Sequence, residues 1–210
     1  VTLSKGGTAT EGATADYTLP GTITIVAGAS SAFVTLAAVN DALDETDETV
    51  IIDIASVTNG TESGVQTATV TIMDETAAPT VSLSIGSAMV SESGTTTVTA
   101  TSSAVSAKEI TVTITKTGTA TEGSTADYTL SGTITISVGS TVGSVTFAAL
   151  ADTLDEANET VGIEITGVTN GSFTAPQTAT ITITDETTAP TVTLSTGVTT
   201  IGEEAGTTSV

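Results

Sequence analysis

Apolar and polar residues alternate with a period of two through most of the chain. Thr111-Val-Thr-Ile-Thr115, Gly132-Thr-Ile-Thr-Ile136 and Ala179-Thr-Ile-Thr-Ile-Thr184 alternate strictly, and Val161, Ile163 and Ile165 continue the pattern. Successive side chains of a strand point to opposite faces. Val112, Ile114, Ile134, Ile136, Ile181 and Ile183 therefore belong to one buried face, and the threonines between them to a wet one. Runs of this kind, broken by Gly, Ser and Asn, predict antiparallel sandwiches of about seven strands. Asn59-Gly60 and Asn170-Gly171 read as two-residue hairpin turns, since both residues tolerate positive φ. No stretch holds the 3.6-residue period of a helix of three turns.

The pattern repeats. Thr8-Ala-Thr-Glu-Gly-Ala-Thr-Ala-Asp-Tyr-Thr-Leu19 returns as Thr119-Ala-Thr-Glu-Gly-Ser-Thr-Ala-Asp-Tyr-Thr-Leu130, and Asp41-Ala-Leu-Asp-Glu-Thr-Asp-Glu-Thr49 as Asp152-Thr-Leu-Asp-Glu-Ala-Asn-Glu-Thr160. The offset is 111 residues, without a gap from residue 8 to residue 84, and 49 of those 77 positions are identical. Self-similarity of this kind marks a tandem array. The chain divides into residues 1–77, a repeat without its first strand; 78–188, a complete repeat; and 189–210, the first strand of a third. Val1 opens in mid-strand, so the chain reads as a window on a longer array. The junctions, Thr76-Ala-Ala-Pro79 and Thr187-Thr-Ala-Pro190, are short, and Pro restricts itself and the residue before it. Sandwiches set end to end with little bending are the expected architecture.

Composition then narrows the chemistry. There is no Cys, His or Trp, and 24 acids face three lysines, for a net charge of −21. Thiol ligands, disulfides and imidazole catalysis are excluded. The charge repels phosphate backbones and anionic lipid, so nucleic acid is not an expected partner. No apolar run approaches the ~20 residues of a membrane helix, so no membrane insertion is expected in this segment. Disorder is excluded as well: 38% of residues are apolar and 52 are Thr, a β-branched residue that suits strands. A glycosidase built on paired carboxylates such as Asp152 and Glu156 would need aromatic sugar platforms, and only 2% of the chain is aromatic. The chain reads as non-enzymatic.

The acids are clustered. Asp152, Asp155, Glu156 and Glu159 fall within eight residues, Asp185 and Glu186 follow the last strand, Asp127 follows a Gly-Ser-Thr-Ala turn, and Glu92 sits in a Ser-Glu-Ser-Gly turn. Most of these places are strand ends, where a sandwich gathers loops at one tip. A solvated acidic surface is the simpler explanation, but like charges a few ångströms apart oppose each other unless neutralised. A hard dication taking six to eight oxygens at ~2.3–2.6 Å suits carboxylates and loop carbonyls, and Ca2+ tolerates such crowding better than Mg2+. Asp41, Asp44 and Asp47 are spaced by three, so no EF-hand loop is present. Any site must be assembled from residues distant in sequence.

In combination and order, the turn Glu92, Gly123-Ser-Thr-Ala-Asp-Tyr128, Asp152-Thr-Leu-Asp-Glu-Ala-Asn-Glu-Thr160 and Ile183-Thr-Asp-Glu186 resemble the Calx-beta domain across nearly the whole chain. The resemblance implies a seven-stranded immunoglobulin-like sandwich, as in sodium–calcium exchangers, integrin subunits and large bacterial surface proteins, with Ca2+ in the loops at one tip. The ligands it implies are Glu92, Asp127, Asp152, Glu156, Glu159, Asp185 and Glu186 in the complete repeat. In the first repeat they are Asp16, Asp41, Glu45, Glu48, Asp74 and Glu75. Asn40 and Ala151 stand where calcium-binding members often have a second Asp, and Thr76 and Thr187 replace a third closing acid. One or two ions per site are therefore expected.

These readings converge on a structural segment of a long extracellular or cell-surface adhesin or filament, stiffened by Ca2+ at loop tips and junctions. Its partners would be neighbouring repeats of the same chain, or identical chains joined head to tail, including by strand exchange between 190–210 and the first repeat. The alternative is a calcium-sensing regulatory module of a transporter or multidomain membrane protein.

Overall fold

The computed structural model describes residues 1–123, 125–204 and 206–210. Ser124 of the Gly-Ser-Thr-Ala turn and Ala205 of the 189–210 segment lie outside the described residues. The first repeat holds β1 (Thr2–Gly7), β2 (Tyr17–Thr18), β3 (Ala37–Ala38), β4 (Glu48–Ser56) and β5 (Thr67–Ile72). The second holds β6 (Val81–Ile85), β7 (Met89–Ser91), β8 (Thr95–Ser102), β9 (Ile110–Gly118), β10 (Tyr128–Thr129), β11 (Thr133–Ile136), β12 (Val142–Ala149), β13 (Glu159–Thr169) and β14 (Thr178–Thr184). No helix occurs among the described residues.

In the second repeat, two sheets of order β10-β12-β8-β6 and β11-β9-β13-β14-β7 face each other. β6 and β7 are two halves of one strand that changes sheets, and so are β10 and β11, which leaves seven strand positions. All pairings are antiparallel except that of β7 with β14. This is the immunoglobulin-like order, with the first strand passing from one sheet to the other. The period-two residues fill the space between the sheets. Val112, Ile114, Ile134, Ile136, Val161, Ile163, Ile165, Ile181 and Ile183 are all buried, with Val98 and Phe147 opposite them. Tyr128 stacks on Phe147 with ring centroids 5.1 Å apart. At roughly 1.5–3 kcal/mol for each fully buried large aliphatic or aromatic side chain, this core sustains a domain of ~110 residues without staples.

The first repeat is built from the same parts, with β1, β4 and β5 as one sheet and β2 paired to β3. The counterparts of β6, β7 and β8 would fall before Val1, and the core is uncovered as a result. Val70 of β5 is 39% exposed, where its counterpart Ile181 is 0% exposed.

Two expectations need correction. The Asn-Gly pairs are not two-residue hairpins, because β13 ends at Thr169 and β14 begins at Thr178. Asn170 does take positive φ (57°), and its Nδ2 donates to the Glu109 carbonyl at 2.9 Å. The loop beyond it is held by the inter-repeat segment instead: Ser172 N–H donates to Pro79 O, and Val81 N–H to Ser172 O. Nor do residues 189–210 form a strand among the described residues. Val192 and Leu194 are almost fully exposed, since the pairing partner, a counterpart of β8, would begin only at residue 206.

The repeats meet end to end. The Asp41–Glu48 loop of the first touches the loop that precedes β9 in the second, through a bridge between Asp44 and Ser106. In the second repeat that preceding loop lies at the opposite end of β9 from the Thr119–Asp127 loop.

Candidate metal centre

The acids of the second repeat converge on one end of the sandwich because each follows or precedes a strand reaching that end. Gly118 closes β9 with φ 130°, and a Cβ there would run into the Thr160 carbonyl. That close approach lets Thr119 N–H donate to Thr160 O at 3.0 Å, while Thr160 N–H donates to Thr119 Oγ1 at 2.9 Å. The loop so anchored ends on Asp127, whose Oδ2 accepts Thr121 N–H at 2.5 Å and whose carbonyl accepts Leu150 N–H at 2.9 Å. Asp152 follows β12 and folds its own loop, its Oδ1 accepting Leu154 N–H at 2.7 Å. Asp185 leaves β14 and ties two segments: Oδ2 accepts Glu156 N–H at 3.0 Å, and Oδ1 accepts Thr187 N–H at 2.9 Å. Glu159 is the first residue of β13 and pairs with Ile183. Glu92 follows β7, its N–H donating to Thr184 O at 3.2 Å.

Carboxylate oxygens of Glu92, Asp152 and Glu156 lie within 4.8 Å of one another, and so do those of Asp127, Glu156 and Glu159. Glu156 joins the two groups. Two oxygens each ~2.4 Å from one calcium ion can be at most ~4.8 Å apart, so this spacing fits shared ligation. Between these residues and Asp185 is a hollow of about 10 Å³, on the order of the space needed to seat a single water or ion.

Loss of water, and after it repulsion between the acids, is visible in the acidities. Glu159 is pushed up to about 6, first by burial, then by its hydrogen bond to Asp127 and by the charges of Asp127 and Glu156. Burial, then Asp185, Asp152, Glu156 and Glu186, raises Glu92. Glu156 is exposed overall, but partial loss of water around its carboxyl raises it, followed by Asp152, Asp127 and Asp185. Asp185 is lowered, because the Thr187 and Glu156 N–H groups favour its charged form. Glu186 borders the cluster, its charge reaching Glu92, but it is in neither group of close oxygens.

Offset by 111 residues, the first repeat shows the same construction. Asp16 Oδ2 accepts Thr10 N–H at 2.5 Å, Asp41 Oδ1 accepts Leu43 N–H at 2.9 Å, and Asp74 accepts Glu45 N–H and Thr76 N–H, both at 2.9 Å. Oxygens of Asp16, Asp41 and Glu45 lie within 4.8 Å. Glu48 is pushed up to about 7 by burial, a hydrogen bond to Asp16, and the charges of Asp16 and Glu45. Glu45 is raised by burial, then by Asp41, Asp16 and Asp74. Asp74 is lowered by the N–H groups of Thr76 and Glu45, with a smaller contribution from Lys108. Here the acids, with Glu48, Asp74 and Glu75, line an open cavity of about 450 Å³. The second site is closed by Glu92 and β7, whose counterparts in the first repeat would fall before Val1.

Among the described residues no lysine forms an ion pair with a carboxylate of the close groups, and Lys108 reaches the first cluster only through its charge on Asp74. Lys5 pairs with Glu11 and Lys116 with Glu122, acids outside the close carboxylate groups, while Lys108 bonds Asp44 at 2.6 Å. Asp44 and Lys108 are the residues that sequence reasoning passed over. The available signal was the internal repeat: Asp44 and Asp155 recur 111 residues apart inside the acidic motif yet are absent from the implied ligand set.

A seven-stranded immunoglobulin-like sandwich with an acidic pole at one end is thus present once in full and once in part. The sequence profile of the Calx-beta domain matches residues 2–76 and again residues 74–187, and the chain belongs to that family as tandem copies. Among solved structures, the chain is similar to the apo form of the Calx CBD1 domain (14% identity, TM-score 0.39, 51% of this chain and 98% of that one). It is also similar to CBD12 from CALX1.2 (15% identity, TM-score 0.41, 50% and 45%) and to the calcium binding domain CBD12 of CALX1.1 (16%, 0.30, 78% and 66%). The chain spans less than two thirds of those two longer structures. No curated protein matches it.

Proposed function

We propose that this chain is a calcium-binding structural segment of a long extracellular or cell-surface protein of the adhesin or filament type, its repeats stiffened by Ca2+ held at the acidic poles. In the second repeat Glu92, Asp127, Asp152, Glu156 and Glu159 would hold the ion, with Asp185 fixing the loops and Glu186 adding negative field. In the first repeat Asp16, Asp41, Glu45 and Glu48 would do so, with Asp74 fixing the loops and Glu75 lining the cavity. The observation that carries this reading is the convergence of carboxylate oxygens within 4.8 Å with no cationic side chain among them. Only oxygen donors are offered, which suits a hard cation. Repeats identical at 49 of 77 aligned positions, Thr-rich wet faces and Pro-bearing junctions support a role in length and stiffness rather than in sensing.

Calorimetric titration of chelator-stripped protein tests the site. Calcium is expected to bind, and Asp152→Asn is expected to weaken the second site at least tenfold while leaving the first intact. An identical isotherm for the variant would remove Asp152 from the ligand set. Strand exchange between copies is proposed on the exposed Val192 and Leu194 and the uncovered first repeat. Light scattering should then show concentration-dependent assembly that is lost on deleting residues 190–210, and persistence after deletion would refute it.

A further inference from the structure

Within the acidic loop of the first repeat, Asp44 is bonded away from the pole. Its Oδ1 lies 2.6 Å from Lys108 Nζ, and its Oδ2 accepts the Ser106 hydroxyl at 2.8 Å. The Asp44 carbonyl accepts Ala107 N–H at 3.0 Å, Lys108 Nζ also donates to the Glu45 carbonyl at 3.1 Å, and Ser106 Oγ accepts Lys108 N–H at 3.0 Å. Asp44 and Ser106 are 3% and 2% exposed. Asp44 belongs to none of the close carboxylate groups, so it is not a member of either cation cluster.

Residue 155 supplies an internal control. The loop around it is built identically: Leu154 N–H binds Asp152 Oδ1 as Leu43 N–H binds Asp41 Oδ1, and Glu156 N–H binds Asp185 as Glu45 N–H binds Asp74. Yet Asp155 is exposed and Leu154 is 58% exposed, whereas Asp44 is buried and Leu43 half-buried. The difference is the loop around Ser106 and Lys108 lying over the first repeat.

We propose that Asp44, Ser106 and Lys108 form a charge-assisted clasp that fixes each repeat on its predecessor whether or not a cation occupies the pole. Asp155 presents the same half-clasp to a following repeat bearing a Ser-x-Lys loop. Both Asp44 oxygens are already matched by a hydroxyl donor and an ammonium, so the clasp needs no metal for neutrality. A buried carboxylate deprived of its partner is costly, which gives the docked geometry its hold. This inference does not rest on calcium binding.

The chain has no Cys, so Thr69→Cys and Thr115→Cys, both on exposed strand faces of different repeats, accept spin labels uniquely. In chelator, before any calcium is added, the inter-repeat distance distribution is already expected to be narrow. Lys108→Met should broaden it about twofold or more, since small inter-domain contacts otherwise permit relative motion. Lys108→Arg should restore the narrow form, and Asp155→Asn should leave it untouched. A broad wild-type distribution in chelator, or a narrow one for Lys108→Met with circular dichroism unchanged, would overturn the clasp. Calcium titration of the same samples is a separate readout, so failure of the cation reading would leave this outcome standing.

Discussion

Millimolar calcium is expected to raise the melting temperature of the second repeat by roughly 10 °C over the chelated protein. A ligand bound only by the folded state adds about 2.7 kcal/mol at a hundredfold excess over Kd and about 4 kcal/mol at a thousandfold excess. For a domain of ~100 residues, each kcal/mol moves the midpoint by about 4 °C. Two transitions are expected, because the second repeat has a closed core and the first only a small one around Tyr17, Leu19 and Val50. Asp127→Asn separates site from scaffold. It removes one of the charges that push up Glu159 and Glu156, so in chelator the variant should melt no lower than the wild type. In calcium it should lose most of the upward shift. Equal shifts for both proteins would place the ion elsewhere, and no shift at saturating calcium would end the proposal.

Much of this architecture is legible in the residues themselves. Strict alternation in Thr178–Thr184 and Thr133–Ile136 leaves one apolar face per strand, and that face is where the core lies. The acids could be placed at one pole because they flank strands whose ends must meet when the sandwich closes. What was not legible depends on contacts between segments with no local signature. The Asn170 turn looks like a hairpin by its own chemistry, but the loop it opens pairs with Pro79 and Val81 at the start of the same repeat. Asp44 and Asp155 are the same residue in the same motif, and only the presence of Ser106 and Lys108 beside one of them makes it buried. Likewise, Val70 carries the alternation of its buried counterpart Ile181, and its exposure follows from strands that this stretch of chain does not supply.

The affinity for calcium is expected to fall about 10-fold at the second site and about 100-fold at the first between pH 8 and pH 5, because binding a cation requires deprotonated ligands. The difference follows from Glu159, held at about 6, and Glu48, held at about 7, against an ordinary value of 4.5. The sign reverses for the protein without metal. A carboxyl whose folded pKa is raised contributes stability that is complete below its unfolded value and is lost as pH rises through the folded value. In chelator, these two groups should therefore make the fold less stable from about pH 4.5 to about pH 7 at the first repeat, and to about pH 6 at the second. Asp74 and Asp185 act oppositely, since their lowered values add stability that disappears only as pH falls below the ordinary 3.8. The gap between melting curves with and without calcium should thus narrow toward pH 5 and widen toward pH 8, by the equivalent of about a tenfold change in affinity at the second repeat and about a hundredfold one at the first, where it opens at the higher pH. Calorimetry at pH 5, 6, 7 and 8 on Glu159→Gln should flatten the pH dependence of the second site alone. An affinity independent of pH in the wild type would show that neither glutamate gives up a proton to the ion, and would remove both from the ligand set.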